Sequence, residues 1–269
     1  MKLYATIAAI ALAGAAGGAV VTFATRAPTP ARAKSPAPLT VATPNPAVIQ
    51  ATALYHQALV ALSESPGFHY VAISPGPESE TIVGDAGRGV GRQVITLKTG
   101  YGVEDFSLLL IATDVVYFEG NIPALEDQLG VSSGHAATLQ DTWISVSPFD
   151  GPYSILAPGM TVNDQVNWLP LSPASTSSVH SGATTLTRIS GAVETGAITA
   201  KAYLDIDAGS DHPTAYVSTT TVDGKPATTS DTFSDWGELV AVAPPAGAIK
   251  WSTLGARPPK DGYGGGVFG

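Results

Sequence analysis

Alternation with a period of two, interrupted again and again by turn residues, is the feature that most constrains this chain. In AITAKAYLDID, Ala197 to Asp207, the apolar set Ile198, Ala200, Ala202, Leu204 and Ile206 alternates with Thr199, Lys201, Tyr203, Asp205 and Asp207. Successive side chains of a strand point to opposite faces, so this pattern predicts a strand covered on one face and wet on the other. HYVAIS, TIVGD, RQVITLK, DFSLLLIA and DVVYF, between His69 and Phe118, are further β-prone runs separated by Gly, Pro, Asp and Asn. TAYVSTTTV and ATTSDTF flank Asp223-Gly224, a type I′ hairpin signal. Turns this short favour an antiparallel meander over βαβ crossovers.

Helical periodicity is confined to a few segments. Asn45 suits an N-cap and Pro46 the first helical position, and Val48, Ala51, Tyr55, Leu59 and Leu62 form an apolar stripe opposite Gln50, Gln57 and Glu64. Ser65-Pro66-Gly67 stops it, which predicts a helix from Pro46 to Ser63. In VVYFEGNIPALEDQLG, Val115 to Gly130, β-formers run into Glu119-Gly120 and a short helix begins at once. Asn121 can cap it, Pro123 lies in its first turn, Gly130 ends it, and Ile122, Leu125 and Leu129 share one face. A turn near His135 to Leu139 and a stretch near Met160 to Trp168 complete the helical middle. The order of helix, strands, small helices and strands predicts an α+β fold. Its single large antiparallel sheet should curl, with the helices gathered on one side.

Charge and composition bound the setting. Residues 1–26 read as a signal peptide or signal anchor: Lys2, an uncharged run over residues 3–25, then Arg26. Ala31-Arg32-Ala33 offers a cleavage site, so the chain is expected either to stay membrane-anchored by residues 3–25 or to be secreted after cleavage near Ala33. Residues 27–45 read as a Pro/Ala-rich linker, 46–257 as the folded domain and 258–269 as a loose Gly-rich tail. All 22 acidic residues lie beyond Lys34 against nine of the 13 basic ones, a balance of 9 − 22 = −13 for the extracytoplasmic part. Such a surface argues against a nucleic-acid partner. With no cysteine, disulfides and thiolate chemistry are excluded.

The motifs that carry chemistry elsewhere are absent or incomplete. GDAGRGVGR lacks the P-loop lysine and joins two predicted strands, so it reads as a β-turn. Asp205, Asp207 and Asp211 alternate as in a calcium loop, but Tyr216 stands where the bidentate glutamate belongs. His56, His69, His135, His180 and His212 are scattered without an H-E-x-x-H pair, and no G-x-S-x-G elbow presents a serine. The expectation is no catalytic residue, no metal and no cofactor. A hydrolase would need a Ser–His pair assembled across the fold. The four tryptophans read as core or cavity-edge residues.

Several stretches resemble a known family. ALSESPGFHYV, TIVGDAGRGVGRQVITLKTG, VVYFEGN, DTWISV and TFSDWGELVAVAPP resemble the LolA-like superfamily, and within it the LppX/LprG type of actinobacterial lipid-carrier lipoproteins. The resemblance runs from the first helix to Pro245 and rests on hydrophobic and glycine positions. It implies a curled half-barrel whose concave face is covered by helices, with space between them for acyl chains. The chain departs from the pattern in having no lipid-modified cysteine. On this resemblance the helix after Gly120 would be a lid. Ile122, Leu125 and Leu129 would face Ile95, Leu97, Phe106, Leu108, Leu110 and Tyr117 across an apolar ligand site. The ligand would be a lipid or another acyl-chain molecule. The alternative is a non-catalytic adhesion or sensor module in which the same fold is filled by its own side chains.

Overall fold

The computed structural model describes residues 45–100, 102–195, 198–222 and 224–257. The hydrophobic segment, the linker before Asn45 and the tail after Arg257 lie outside the described residues. Helix α1 (Pro46–Glu64) is followed by strands β1 (Gly67–Ser74), β2 (Ser79–Gly87), β3 (Gly91–Thr99), β4 (Gly102–Ile111) and β5 (Val115–Gly120). The middle holds α2 (Ile122–Leu129), α3 (Ser133–Leu139), β6 (Ile144–Val146), α4 (Tyr153–Leu156) and α5 (Val162–Asn167). Strands β7 (Ser172–Ser181), β8 (Thr184–Thr195), β9 (Ile198–Asp207), β10 (Pro213–Val222), β11 (Lys225–Ser234) and β12 (Ile249–Lys250) complete the fold, and a single 3-10 turn (Trp251–Thr253) follows. No described helix is long and apolar enough to cross a membrane.

Among the described residues the twelve strands form one sheet in the order β12-β6-β5-β4-β3-β2-β1-β11-β10-β9-β8-β7. Neighbours are antiparallel except β12 and β6. The two ends of the order do not pair with each other, so the architecture is α+β with one large, unclosed, mostly antiparallel half-barrel sheet. Only β1 against β11 joins strands distant in sequence among the antiparallel pairs of the central sheet, and it stitches the two meanders together. Pairing of Val222 with Lys225 places a two-residue link between β10 and β11, as the Asp223-Gly224 signal predicts.

The register defines an inner face. Gly120, Phe106, Ile95, Ile82, Ala72, Asp231, Tyr216, Leu204 and Ile189 succeed one another across nine strands as direct partners. All but Gly120, Ala72 and Asp231 are buried, and the buried apolar side chains join those of the helices in one continuous core. Helix α1 packs against β7, β8 and α5, with Ala51, Ala58 and Leu62 buried. Val48, in the expected stripe, is instead 37% exposed.

Three tyrosines tie the segment before β7 across this face. Tyr55 of α1, Tyr70 of β1 and Tyr216 of β10 donate their hydroxyls to the carbonyls of Leu169, Gly159 and Pro170, at 2.7, 3.1 and 2.7 Å. The aromatic bodies stay in the core while the polar tips satisfy loop carbonyls that burial would otherwise leave unpaired. Tyr70 fits because its cross-strand partner is Gly84, where a Cβ would lie 2.6 Å from the ring.

On the outer face, charge is neutralised by pairing. Arg188 holds the buried Asp205 through two hydrogen bonds of 2.7 Å, and its guanidinium lies 3.7 Å over the Tyr203 ring.

Candidate ligand site

Strand β3 buries every second residue, Gly91, Gln93, Ile95 and Leu97, and exposes Arg92, Val94, Thr96 and Lys98. Strand β4 buries Glu104, Phe106, Leu108 and Leu110 in the same phase. Ile95 stands opposite Phe106 and Leu97 opposite Glu104, so Ile95, Leu97, Phe106, Leu108 and Leu110 do form one inner wall. Tyr117 does not belong to it. It pairs with Leu109 on the outer face, while its neighbours Val116 and Phe118, both 0% exposed, point inward. Every residue of Val115 to Phe118 is apolar or aromatic, so alternation carried no phase there, and a slip of one residue exchanges the faces. Phe118 stacks on Phe106 with ring centroids 5.2 Å apart.

The abrupt end of β5 has a steric cause. A Cβ on Gly120 would lie 2.8 Å from Phe106 Cβ and 3.0 Å from the Phe118 ring, so a side chain there would crowd both phenylalanines. The chain then turns into α2, which roofs the wall. Asn121 makes the turn with three bonds. Its Oδ1 accepts from Ala124 N at 3.1 Å, its Nδ2 donates to Val103 O at 2.9 Å, and its N–H donates to Asp105 O at 3.0 Å. Gly130, in the left-handed region with φ 64°, closes the other end. Midway, Gln128 Nε2 donates to Glu104 Oε2 at 2.8 Å, a buried bond between roof and wall.

Leu125 and Leu129 are both 0% exposed, and Ile122 is half-buried at the roof's edge. Both leucines belong to the same continuous buried core as the wall residues. Under α2, roof and wall are in close-packed contact. The roof is also held from beyond: Trp251 Nε1 donates to Leu129 O at 2.9 Å, satisfying a carbonyl that the helix end leaves without an internal partner. Trp251→Phe should therefore cost about 1 kcal/mol, the net worth of one buried hydrogen bond. Urea denaturation checks this, and a loss under about 0.3 kcal/mol would mean that the bond does not hold the roof.

The other half of the inner face is different. Ala72, Ser218, Ala227 and Thr229 are small, share the inner phase of β1, β10 and β11, and are only half-buried. Ser218 and Thr229 hydroxyls pair across the strands at 2.9 Å. Asp231 stands among them, and loss of hydration, with Glu80 adding to it, pushes its carboxyl up to about 7.

Ser234, His69 and Asp85 are neighbours on adjacent strands, and His69 Nδ1 meets Asp85 Oδ1 at 2.6 Å. The Ser234 hydroxyl, however, turns to Asp235 Oδ2 at 3.2 Å, and Arg92 bonds to the second oxygen of Asp85. The row lacks the nucleophile-to-base contact of an ester-cleaving site. Asp207 Oδ1 accepts from Gly209 N and Ser210 N, both at 2.9 Å, which makes the acidic loop a capped turn. The glycine-rich stretch is the β2–β3 turn, closed by Gly87 N to Val90 O at 2.9 Å. Among the described residues no three His, Asp or Glu side chains gather as metal ligands.

Sequence reasoning missed Val116, Phe118, Glu104 and Gln128. The first two were hidden by phase. The polar pair was hidden because VEDF and EDQL read as wet surface until the pairing of strand and helix is known.

No family model and no curated protein matches the chain. Among solved structures it is similar to LprF from Mycobacterium bovis, with 16% identity, a TM-score of 0.47, and coverage of 74% of this chain and 98% of that one. It is also similar to the Mycobacterium tuberculosis lipoprotein LppX, with 15% identity, a TM-score of 0.43, and coverage of 72% and 99%.

Proposed function

We propose that this chain is an extracytoplasmic, non-catalytic binder or carrier of an apolar ligand with an acyl chain, held between α2 and the inner face of the sheet. The observation that carries the reading is the continuity of that face. The apolar wall under α2 passes through Ile82 into the half-exposed small residues of β1, β10 and β11, without a break in hydrogen-bonded strands. Ligand sites are concave and mostly apolar with a few polar groups to orient the guest, and here Ser218, Thr229 and Asp231 stand beside the apolar wall. The resemblance of the sequence to the LppX/LprG type supports the same class of ligand. Attachment through residues 3–25, or release by cleavage near Ala33, would place the binder outside the cytoplasm.

A second reading rests on its own observation. The full burial of Leu125 and Leu129 is what a filled adhesion or sensor module would show. The two readings differ in one measurement. Protein purified from its own host should carry acyl species through native mass spectrometry, and delipidated protein should bind a fluorescent fatty acyl probe at micromolar concentration. Neither co-purifying lipid nor probe binding would leave the filled module.

A further inference from the structure

We propose that Glu104 and Asp127 form a proton-operated latch that holds α2 down on the sheet at acidic pH and loosens it as pH rises. The inference deepens the reading of α2 as the roof of an acyl-chain site and names how that site would be regulated.

Glu104 is on β4, 2% exposed, with its side chain on the inner face opposite Leu97. Its Oε2 accepts from Gln128 Nε2 at 2.8 Å, and the residue before Gln128 on the same helix is a second carboxyl, the exposed Asp127. A buried carboxyl of the wall is therefore bonded to the roof helix, beside a residue that carries a second charge at the roof's surface. Loss of hydration, and then the charge of Asp127, push the Glu104 carboxyl up to about 7, against the opposing effect of the Gln128 bond. Protonated, Glu104 is a neutral acid that keeps its bond to Gln128 under the roof. Ionised, it is a buried charge with the like charge of Asp127 nearby.

Among the described residues, no lysine or arginine of the adjacent strand β3 shares the face of Glu104, since Arg92 and Lys98 take the outer phase. Of the charged groups on the elements around Glu104, Lys98 of β3, Asp105 of β4 and Glu119 of β5 take the opposite phase of the sheet and face outward. Glu126 lies on α2 beside Asp127, and His135 belongs to α3, which packs on α2. The charge that acts on Glu104 is that of Asp127. Between Lys98 and Arg188 the chain has no lysine or arginine at all.

The sign follows from linkage. The closed roof binds a proton that the open one, with Glu104 near its ordinary 4.5, gives up. The proton's contribution to closure is thus fully present below that value and is lost as pH rises through about 7. The ends of the roof, fixed by Asn121 and Trp251, do not titrate in this range, so the latch acts at the middle of the helix.

Hydrogen exchange of the full chain tests the latch without any ligand, so it can fail or succeed independently of acyl-chain binding. After correction for intrinsic exchange, opening of the amides of Leu125 to Leu129 should increase at least tenfold from pH 5 to pH 7 and then level off, since one proton allows up to about tenfold per pH unit. Glu104→Gln keeps the shape and the bond to Gln128 but has no proton to lose, and its profile should be flat. Asp127→Asn should retain a weaker rise. Should Glu104→Gln fold poorly, the wild-type and Asp127→Asn profiles still decide. Equal opening at pH 5 and pH 8 in the wild type would overturn the proposal, as would a Glu104→Gln profile that follows the wild type.

Discussion

Gly159→Ala should destabilise the domain by about 2–5 kcal/mol, the sum of backbone strain and overpacking. Gly159 has φ 89°, where an L-residue is strained by about 1–2 kcal/mol. The steric problem is larger. A Cβ there would lie 1.5 Å from Trp168 Cη2 and 2.2 Å from Cζ3, so the indole would have to leave its place. The position is also a junction. The Gly159 carbonyl accepts from Tyr70 OH at 3.1 Å and from Gln165 Nε2 at 2.7 Å, and Tyr70 in turn accepts from Gln93. Shifting the loop to admit a methyl group would strain three buried hydrogen bonds that link β1, β3 and α5. Gly182→Ala supplies the control. It shares a positive φ of 59° but has nothing within 4 Å of the added Cβ, so only the backbone part of the cost should appear. Urea denaturation with an unchanged slope reads both. A Gly159→Ala loss no greater than that of Gly182→Ala would show that the segment before β7 is not held on the sheet.

The contrast between β3 and β8 shows what local pattern can and cannot reveal. Burial alternates along RQVITLK because one of its faces meets the core and the other meets water, and ITLK shows this in residue type, whereas buried Gln93 and exposed Val94 run against their polarity. Strand β7, SPASTSSVHS, is a sheet edge of small polar residues, mostly exposed, and it presents no apolar alternation. In β8 the buried set Leu186, Ile189 and Val193 is spaced by three and four, which reads as helix rather than strand. Only pairing with β9, a contact of tertiary structure, makes it a strand. Helix α2 was legible to the residue because its stop and start are local chemistry: the Asn121 cap and the left-handed Gly130. The site divides in the same way. Five wall residues of β3 and β4 followed from alternation, while Tyr117 fell on the wrong face in an all-apolar run. The Glu104–Gln128 bond joins residues 24 positions apart and depends on where the roof lands. No short-range signal encodes that.

Leu125→Ala is the second large effect, and it bears on whether the roof can yield. Leu125 is 0% exposed, with the wall beneath it and α3 packed on α2. Truncating a buried leucine costs about 2–5 kcal/mol, and the cost is highest where the surroundings cannot collapse into the space left behind. Here α2 is fastened through Asn121, Gln128 and Trp251, which restrains collapse, so a loss near the middle of that range, about 3 kcal/mol, is expected. Leu125→Trp should cost roughly 1–3 kcal/mol through overpacking, because the closed roof leaves no room for the larger ring. Thermal unfolding with and without a fluorescent fatty acyl probe then separates a closed carrier from a filled module. In a carrier the probe lifts the roof and takes the place of Leu125's contacts. It should raise the unfolding temperature of the wild type and raise that of Leu125→Ala more, while Leu125→Trp should no longer respond. In a filled module the same two losses of stability would be measured, but the probe would shift none of the three proteins. A Leu125→Ala loss below about 1 kcal/mol would contradict both readings, since each requires this side chain to be packed when the roof is down.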